Sequence, residues 1–327
     1  MFSLGILRPE DYRPESPRPQ DRLRRMLTGG RLSLQLLRAG RVDAFEAIML
    51  GLRLNAGIYR TTFQGRFRNV DPFLNRLLAG RYPKDAALAI HDWAASDCLT
   101  SAEWAASLFE FFPNAVFTAS DLTLFFLEIA LPNGTTFIVE RDGGLLQYCS
   151  APFVADLNAP QPANDAISRM LVERARRKFA ALAPMTQIPE AWLDSDETEL
   201  VLPGFTVRKL PVVHPKAVLL AQRDPRFSIV RHSVFESLAV PADVIRTMNI
   251  YNLAYFKEPR LLEGGHAVWR SLKPDGWWIV GRTWREDPPA TNFSVLEKTP
   301  AGFRFVERGG EGSEVEALML AASLQEQ

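Results

Sequence analysis

Residues 86–121 read AALAIHDWAASDCLTSAEWAASLFEFFPNAVFTASD. Ala87 to Asp92 is a short apolar run that ends in an acid. Ser101 to Phe112 sets Trp104, Ala105, Leu108 and Phe109 at the three- and four-residue steps of a helix, with Ser101 as candidate cap. Pro113-Asn114 breaks that pattern, and Ala115 to Ala119 is a second apolar run leading to Asp121. Strand, loop, helix, turn and strand in this order make the unit of a parallel sheet.

The same texture returns towards the C-terminus. Phe227 to His232 and Ala242 to Met248 read as strands, and Leu261 to Leu272 reads as a helix stopped by Lys273-Pro274-Asp275-Gly276. Trp277 to Gly281 is a buried-type strand, and Phe293 to Leu296 and Phe303 to Val306 flank the turn signal Thr299-Pro300-Ala301-Gly302. Glu314 to Leu324 closes as a helix. Between the two α/β stretches, Phe125 to Leu131, the turn Pro132-Asn133-Gly134 and Thr135 to Glu140 read as a hairpin, followed by a turn at Asp142-Gly143-Gly144 and a strand from Leu145 to Tyr148. A proline-rich connector at 151–165 and a basic amphipathic helix from Asp165 to Leu182 come next.

Ahead of residue 85 the pattern is helical. Leu23, Met26, Leu27, Leu34, Leu37, Phe45, Ile48, Met49 and Leu52 recur at helical steps, and Pro72 to Leu78 follows Asp71 as a candidate N-cap. Residues 1–20 carry four prolines and read as an extended arm. The expected organisation is a helical N-terminal region, 1–84, and an α/β domain, 85–327, interrupted by a small β insertion at about 124–225. The fold class is α/β with a doubly wound, mainly parallel sheet.

The chain has 327 residues, 47% of them hydrophobic and 23% charged, which is ordinary globular usage and excludes a disordered or collagen-like chain. The densest apolar stretches, such as Leu122 to Leu131, reach about half a membrane span. Met1 to Leu7 is short for the apolar core of a signal peptide, and Cys98 and Cys149 stand in no CxxC spacing, so a reducing cytoplasm is expected. The four histidines make no HxH, HxxxH or HExxH pair, so no zinc site is expected. The net charge is zero, yet residues 1–84 hold 15 arginines, one lysine and seven acids. That basic segment reads either as a solvated helical face docked on an acidic body or as a surface for an anionic partner. No aromatic residues interleave with the arginines between Arg18 and Arg41, which argues against nucleic acid.

Three segments fall at the carboxyl ends of expected parallel strands, where open α/β sheets bind ligands. In the first, His91 to Ser101, Asp92 is followed by Ala94, Ser96 and Cys98. It resembles the first motif of class I S-adenosylmethionine-dependent methyltransferases, acid-x-Gly-x-Gly-x-Gly, with Asp92 at the acid and the three small residues at the glycines. The second is Asp121, at the end of the second strand, where the family uses an acid on the cofactor ribose. A carboxylate has two acceptor oxygens to match a vicinal diol, while the plainer reading is a cap on the next segment. The third, Ala242 to Phe256, resembles the fourth-strand motif of the chemotaxis-receptor methyltransferases, and Asn249 matches the family asparagine that faces the cofactor. Between them, His232-Ser233-Val234-Phe235 stands where the family has Asp-hydrophobic-Phe near the adenine. The resemblance covers about residues 86–121 and 226–284.

The resemblance implies a cofactor, S-adenosyl-L-methionine, held by Asp92, Ala94, Ser96, Asp97, Asp121, Ser233, Val234 and Asn249, and methyl transfer to an acceptor, small molecule or protein, that the sequence does not name. No catalytic residue is singled out. The alternative is a fold that kept its shape and lost catalysis, acting as a binding or scaffold protein. Gly309-Gly310-Glu311-Gly312 resembles a phosphate loop but lacks the GK[ST] end.

Overall fold

The computed structural model describes residues 33–39, 42–150, 153–158, 166–284 and 290–324. The basic arm and the expected helix at Leu23 to Leu27 lie outside the described residues. A 3-10 helix (Leu34–Ala39) precedes α1 (Val42–Met49). Helix α2 (Asp71–Arg81) opens with proline in its first turn, where the missing N–H removes no helical bond. Its N-cap is Val70, and Asp71, expected as the cap, instead turns its carboxylate to Arg246.

Strand β1 (Ala89–Trp93), helix α3 (Leu99–Phe111) and β2 (Val116–Asp121) form the expected strand–helix–strand unit. Helix α3 starts two residues ahead of Ser101, whose hydroxyl donates to Asp92 instead of capping. It stops where Pro113 disfavours helical backbone at Phe112. Next come β3 (Phe125–Ala130), β4 (Thr136–Val139), β5 (Leu145–Ser150), β6 (Phe153–Asp156), α4 (Ala166–Leu182), α5 (Glu190–Leu193), β7 (Glu199–Leu202) and β8 (Phe205–Pro211). The chain continues through α6 (Pro215–Arg223), β9 (Phe227–Arg231), β10 (Ala242–Met248), α7 (Glu258–Ser271), β11 (Leu272–Trp284), β12 (Ala290–Thr299), β13 (Gly302–Gly309) and α8 (Glu316–Ala321).

The described residues divide into two compact units, one of those up to Thr61 with those of Thr123–Val212, the other of Thr62–Leu122 with those from Val213 onward. The expected division at residue 84 and the expected insertion limit near 225 both differ from this. Helix α2 belongs with the α/β unit because Leu74 and Leu78 share a core with Ile90, Leu108 and Phe117. Helix α6 and β9 belong there as well, through Ala217 and Phe227.

The α/β unit holds a seven-stranded sheet in the order β13-β12-β11-β10-β1-β2-β9. The pairs β9–β2, β2–β1, β1–β10 and β10–β11 are parallel; β11–β12 and β12–β13 are antiparallel. This is the expected doubly wound, mainly parallel α/β class. From β1 the chain winds outward through β2 to β9, then returns to β10 on the other side of β1. The topological switch point therefore lies between β1 and β10. The expected stop at Lys273–Gly276 is absorbed into β11 as a shift of register against β10, with Asp275 at φ 59°.

The other unit holds a six-stranded antiparallel sheet, β6-β5-β4-β3-β8-β7. One core sets Leu37, Phe45 and Ile48 against Phe126, Ile138 and Leu210. A second sets Ala175 and Trp192 against Leu127, Phe137 and Val207. Both faces of the sheet are covered, so β4 is buried at every position and lacks the alternation of a half-exposed strand.

Candidate functional site at the switch point

The loop leaving β1 has an unusual backbone. Ala94, Ser96 and Cys98 take φ values of 53°, 58° and 63°. Each is an L-residue in the left-handed region, at a cost of about 1–2 kcal/mol. These are the three positions that the sequence places on the glycines of the first motif. A net of hydrogen bonds keeps the path. Ala95 N–H donates to the Ser120 carbonyl at 2.9 Å, Cys98 N–H to the Ala95 carbonyl at 2.9 Å, and His214 N–H to the Asp97 carbonyl at 2.8 Å. Asp97, buried, accepts the Leu99 N–H at 3.0 Å and so covers one open donor at the start of α3.

Asp121 is the last residue of β2, and its Oδ2 accepts the Ser96 N–H at 2.8 Å. The next element is β3, so Asp121 caps no helix. Its carboxylate instead links the end of the second strand to the loop after the first.

Asp92 is engaged inside the fold. Arg246 donates to it twice, Nε to Oδ1 at 2.9 Å and Nη2 to Oδ2 at 2.5 Å, while Ser101 Oγ donates at 2.6 Å. Arg246 is fully buried, reaches Asp71 Oδ1 at 2.8 Å with its third nitrogen, and lies 4.2 Å from the Trp104 ring centroid. One buried cation thus faces two carboxylates. Asp92 holds the two-pronged share, and burial pushes the Asp71 carboxyl up to about 7 against the pull of Arg246. Sequence reading placed Arg246 in the fourth-strand motif but gave it no role. The signal was there, since a basic residue in mid-strand, directly after Val244 and Ile245, needs a buried partner.

Asn249 follows β10 at φ 65°. Its Oδ1 accepts the Thr283 N–H of β11 at 2.7 Å, and its Nδ2 has no partner among the described residues. Ser233 and Val234 form a turn after β9. The Ser233 hydroxyl accepts the Phe235 N–H at 3.3 Å, and the Val234 carbonyl accepts the hydroxyl of buried Tyr251. Tyr251 also packs edge-on against Trp278, whose Nε1 donates to Thr247 at 2.8 Å, so both are fold-supporting. Three ring nitrogens near this edge are buried without partners among the described residues: His91 Nδ1, Trp93 Nε1 and His232 Nε2. Burial holds His91 down to about 4, with His232 adding to the shift, and the Trp93 and His232 ring centroids lie 4.6 Å apart with the planes tilted by 56°.

The strand ends thus bring Ala94, Ser96, Asp97 and Asp121 together through direct hydrogen bonds or sequence adjacency. Asn249 stands across the switch point at the end of β10, and Ser233 and Val234 follow β9 at the sheet margin. Among the described residues no group of three or more His, Cys, Asp or Glu side chains could hold a metal, and no helix is long and apolar enough to cross a membrane.

No family model and no curated protein matches the sequence. The structure is similar to solved methyltransferase structures. One is an O-methyltransferase family protein from Burkholderia thailandensis, at 12% identity over 75% of this chain and 42% of that chain, with a TM-score of 0.31. Another is a sugar N-methyltransferase from Streptoalloteichus sp., at 11% identity over 75% and 74% of the two chains, TM-score 0.27. A third is PKMT2 from Rickettsia typhi in complex with AdoHcy, at 8% identity over 61% and 22%, TM-score 0.25. The chain spans half the length or less of the first solved structures it resembles, at 50%, 42% and 22%. At these scores the likenesses take the fold assignment no further than the strand order does.

Proposed function

We propose that the α/β unit binds S-adenosyl-L-methionine across the carboxyl ends of β1, β2 and β10 and directs its methyl group to an acceptor. The observation that carries this reading is the backbone of the first loop. Ala94, Ser96 and Cys98 hold the left-handed conformation at all three positions where the resemblance calls for glycine. A strained path kept without glycine points to a function for that path. The residues present fit the group. The loop backbone at Ala94, Ser96 and Asp97 would lie along its methionine part, and Asp121 would accept from the ribose hydroxyls. Val234 and Ser233 would border the adenine, and Asn249 would offer its Nδ2. Asp92, with both oxygens engaged by Arg246, would act by fixing the end of β1 rather than by touching the cofactor.

When bound, the cofactor supplies an electrophilic methyl group on a sulfonium; the chain supplies position and exclusion of water. A general base is required only for an acceptor that is protonated at neutral pH, so no residue is assigned that role. Cys98 and Cys149 are both buried thiols, and a cytoplasmic location is part of this proposal.

A second reading, a scaffold that has lost catalysis, draws on two hydrogen bonds. Asp121 Oδ2 is committed to Ser96, and the Ser233 hydroxyl is committed to Phe235. Calorimetry with S-adenosylmethionine and S-adenosylhomocysteine separates the two. Micromolar binding supports the methyltransferase; no heat at ~1 mM, where an interaction of ~4 kcal/mol begins to show, supports the scaffold.

A further inference from the structure

A cavity of about 590 Å³ opens at the same carboxyl edge, beyond β10. Arg282 and Trp284 at the end of β11, Asn292 near the start of β12, and Glu311, Ser313 and Glu314 in the loop after β13 line it. The glycines singled out in the sequence explain how that loop is placed. Gly310 and Gly312 take φ values of 60° and 82°, and a Cβ on Gly310 would lie 2.2 Å from Asn292 Oδ1. Only glycine there lets the loop close on Asn292, which accepts the Glu311 N–H at 3.2 Å.

Among the described residues the lining is apolar on one side and carries two acids against one base. Trp284 is 41% exposed, with the Arg282 guanidinium 4.4 Å from its ring centroid. Arg282 is neutralised by Glu314 at 2.9 Å. Among the described residues Glu311, exposed in the loop, is left as the excess charge, with no hydrogen bond or ion pair to its carboxylate. An exposed indole beside a carboxylate that no described cation pairs suits a cation with an apolar body and repels an anion. This also removes the phosphate-loop reading of the glycines, since the helix that follows has only six residues and opens with Glu316.

We infer that this cavity binds a protonated amine borne on an apolar or aromatic body, and that this amine anchors the methyl acceptor. The second half rests on the methyltransferase reading; the first does not. Asn249 joins the two regions, because the Thr283 N–H that it accepts lies between Arg282 and Trp284. Strands β10 and β12 stand two strand spacings apart, about 10 Å. The amine is therefore a handle, and the atom that takes the methyl group lies elsewhere on the same molecule.

The test uses benzylamine and benzoate, equal in shape and opposite in charge, with saturation-transfer NMR on the full chain. Wild type should bind benzylamine and not benzoate. Glu311→Gln should weaken benzylamine by roughly tenfold, the loss expected for one charge-assisted hydrogen bond. Trp284→Ala should weaken it as well. In the double variant Glu311→Gln/Glu314→Gln the described lining changes from net negative to net positive, so benzoate should become the preferred probe. Benzoate binding to wild type as well as benzylamine does, or an unchanged preference in the double variant, overturns the amine site. Amine binding in a protein that takes up no S-adenosylhomocysteine keeps the site and removes its role as acceptor anchor.

Discussion

If Ala94 and Ser96 carry glycine-like backbone, putting glycine there should stabilise the protein, a result opposite in sign to the usual glycine substitution. Each residue holds a left-handed conformation that costs about 1–2 kcal/mol for an L-residue. Glycine removes that cost and returns about 0.4–1 kcal/mol through the freer unfolded chain. Both side chains are only partly buried, so deleting each one forfeits a fraction of the ~0.8 kcal/mol that a fully buried methylene-sized group contributes. The double variant Ala94→Gly/Ser96→Gly should gain about 1 kcal/mol, or about 2–4 °C in the melting transition of a unit this size. Ala95 lies between them without a positive φ, and Ala95→Gly should lower the transition by a similar amount. Differential scanning calorimetry on the three proteins reads both signs. If the double variant melts below wild type by as much as Ala95→Gly does, the loop does not hold this conformation in solution and the reasoning fails.

Three further outcomes follow from the buried charges and thiols. Arg246→Met should cost about 3–5 kcal/mol by leaving Asp71 and Asp92 buried without a cation, and adding Asp71→Asn and Asp92→Asn should recover much of it; denaturant melts of the single and triple variants check this. Asp71 has a folded pKa near 7, above its unfolded value, so the unfolded state sheds the proton first and this group's contribution falls as pH rises from about 4 to 7. His91, held near 4 in the folded state, acts with the opposite sign from about 4 to 6.5, so the Asp71 effect is read as the difference between wild type and Asp71→Asn across that range. Cys98 and Cys149 should both alkylate without reductant once the protein is unfolded and resist alkylation when native, Cys149 most of all because burial pushes its thiol up to about 12; an intact mass two daltons short contradicts this.

What could be read in the sequence was what local pattern encodes. The β1–α3–β2 unit was legible because two apolar runs flank a helical repeat that Pro113 ends, and β10 was legible from Ala242 to Met248. The division at Thr61 was not, since α2 joins the α/β core through Leu74 and Leu78, and helical spacing does not say which sheet a helix will cover. Strands β7 and β8 were passed over, although Pro203-Gly204 between them carries the turn signal, with Gly204 at φ 90°. At the site, the acid at the end of β2 was visible from spacing. The engagement of Asp92 was not, because Arg246 lies 154 residues away and Asp71 comes from a third element. Local pattern favoured capping for both Asp71 and Ser101; the buried guanidinium outweighs it, since a charge left unpaired there costs more than a cap contributes.

The most direct test of the cofactor site is calorimetric titration of S-adenosylhomocysteine into wild type, Asp121→Ala and Asp121→Asn, with melts on the same samples. The ribose role asks Asp121 to accept charge-assisted hydrogen bonds worth ~1.5–3 kcal/mol each, so Asp121→Ala should lose roughly ten- to several hundred-fold in affinity. Asp121→Asn keeps one acceptor oxygen for Ser96 and should lose less. Removing the hydrogen bond to Ser96 by itself should lower stability by about 1–3 kcal/mol, which leaves the variant folded enough to titrate. Wild type binding at micromolar concentration, with the affinity of folded Asp121→Ala reduced by that factor, is the result the account predicts; equal affinity in the two proteins contradicts it.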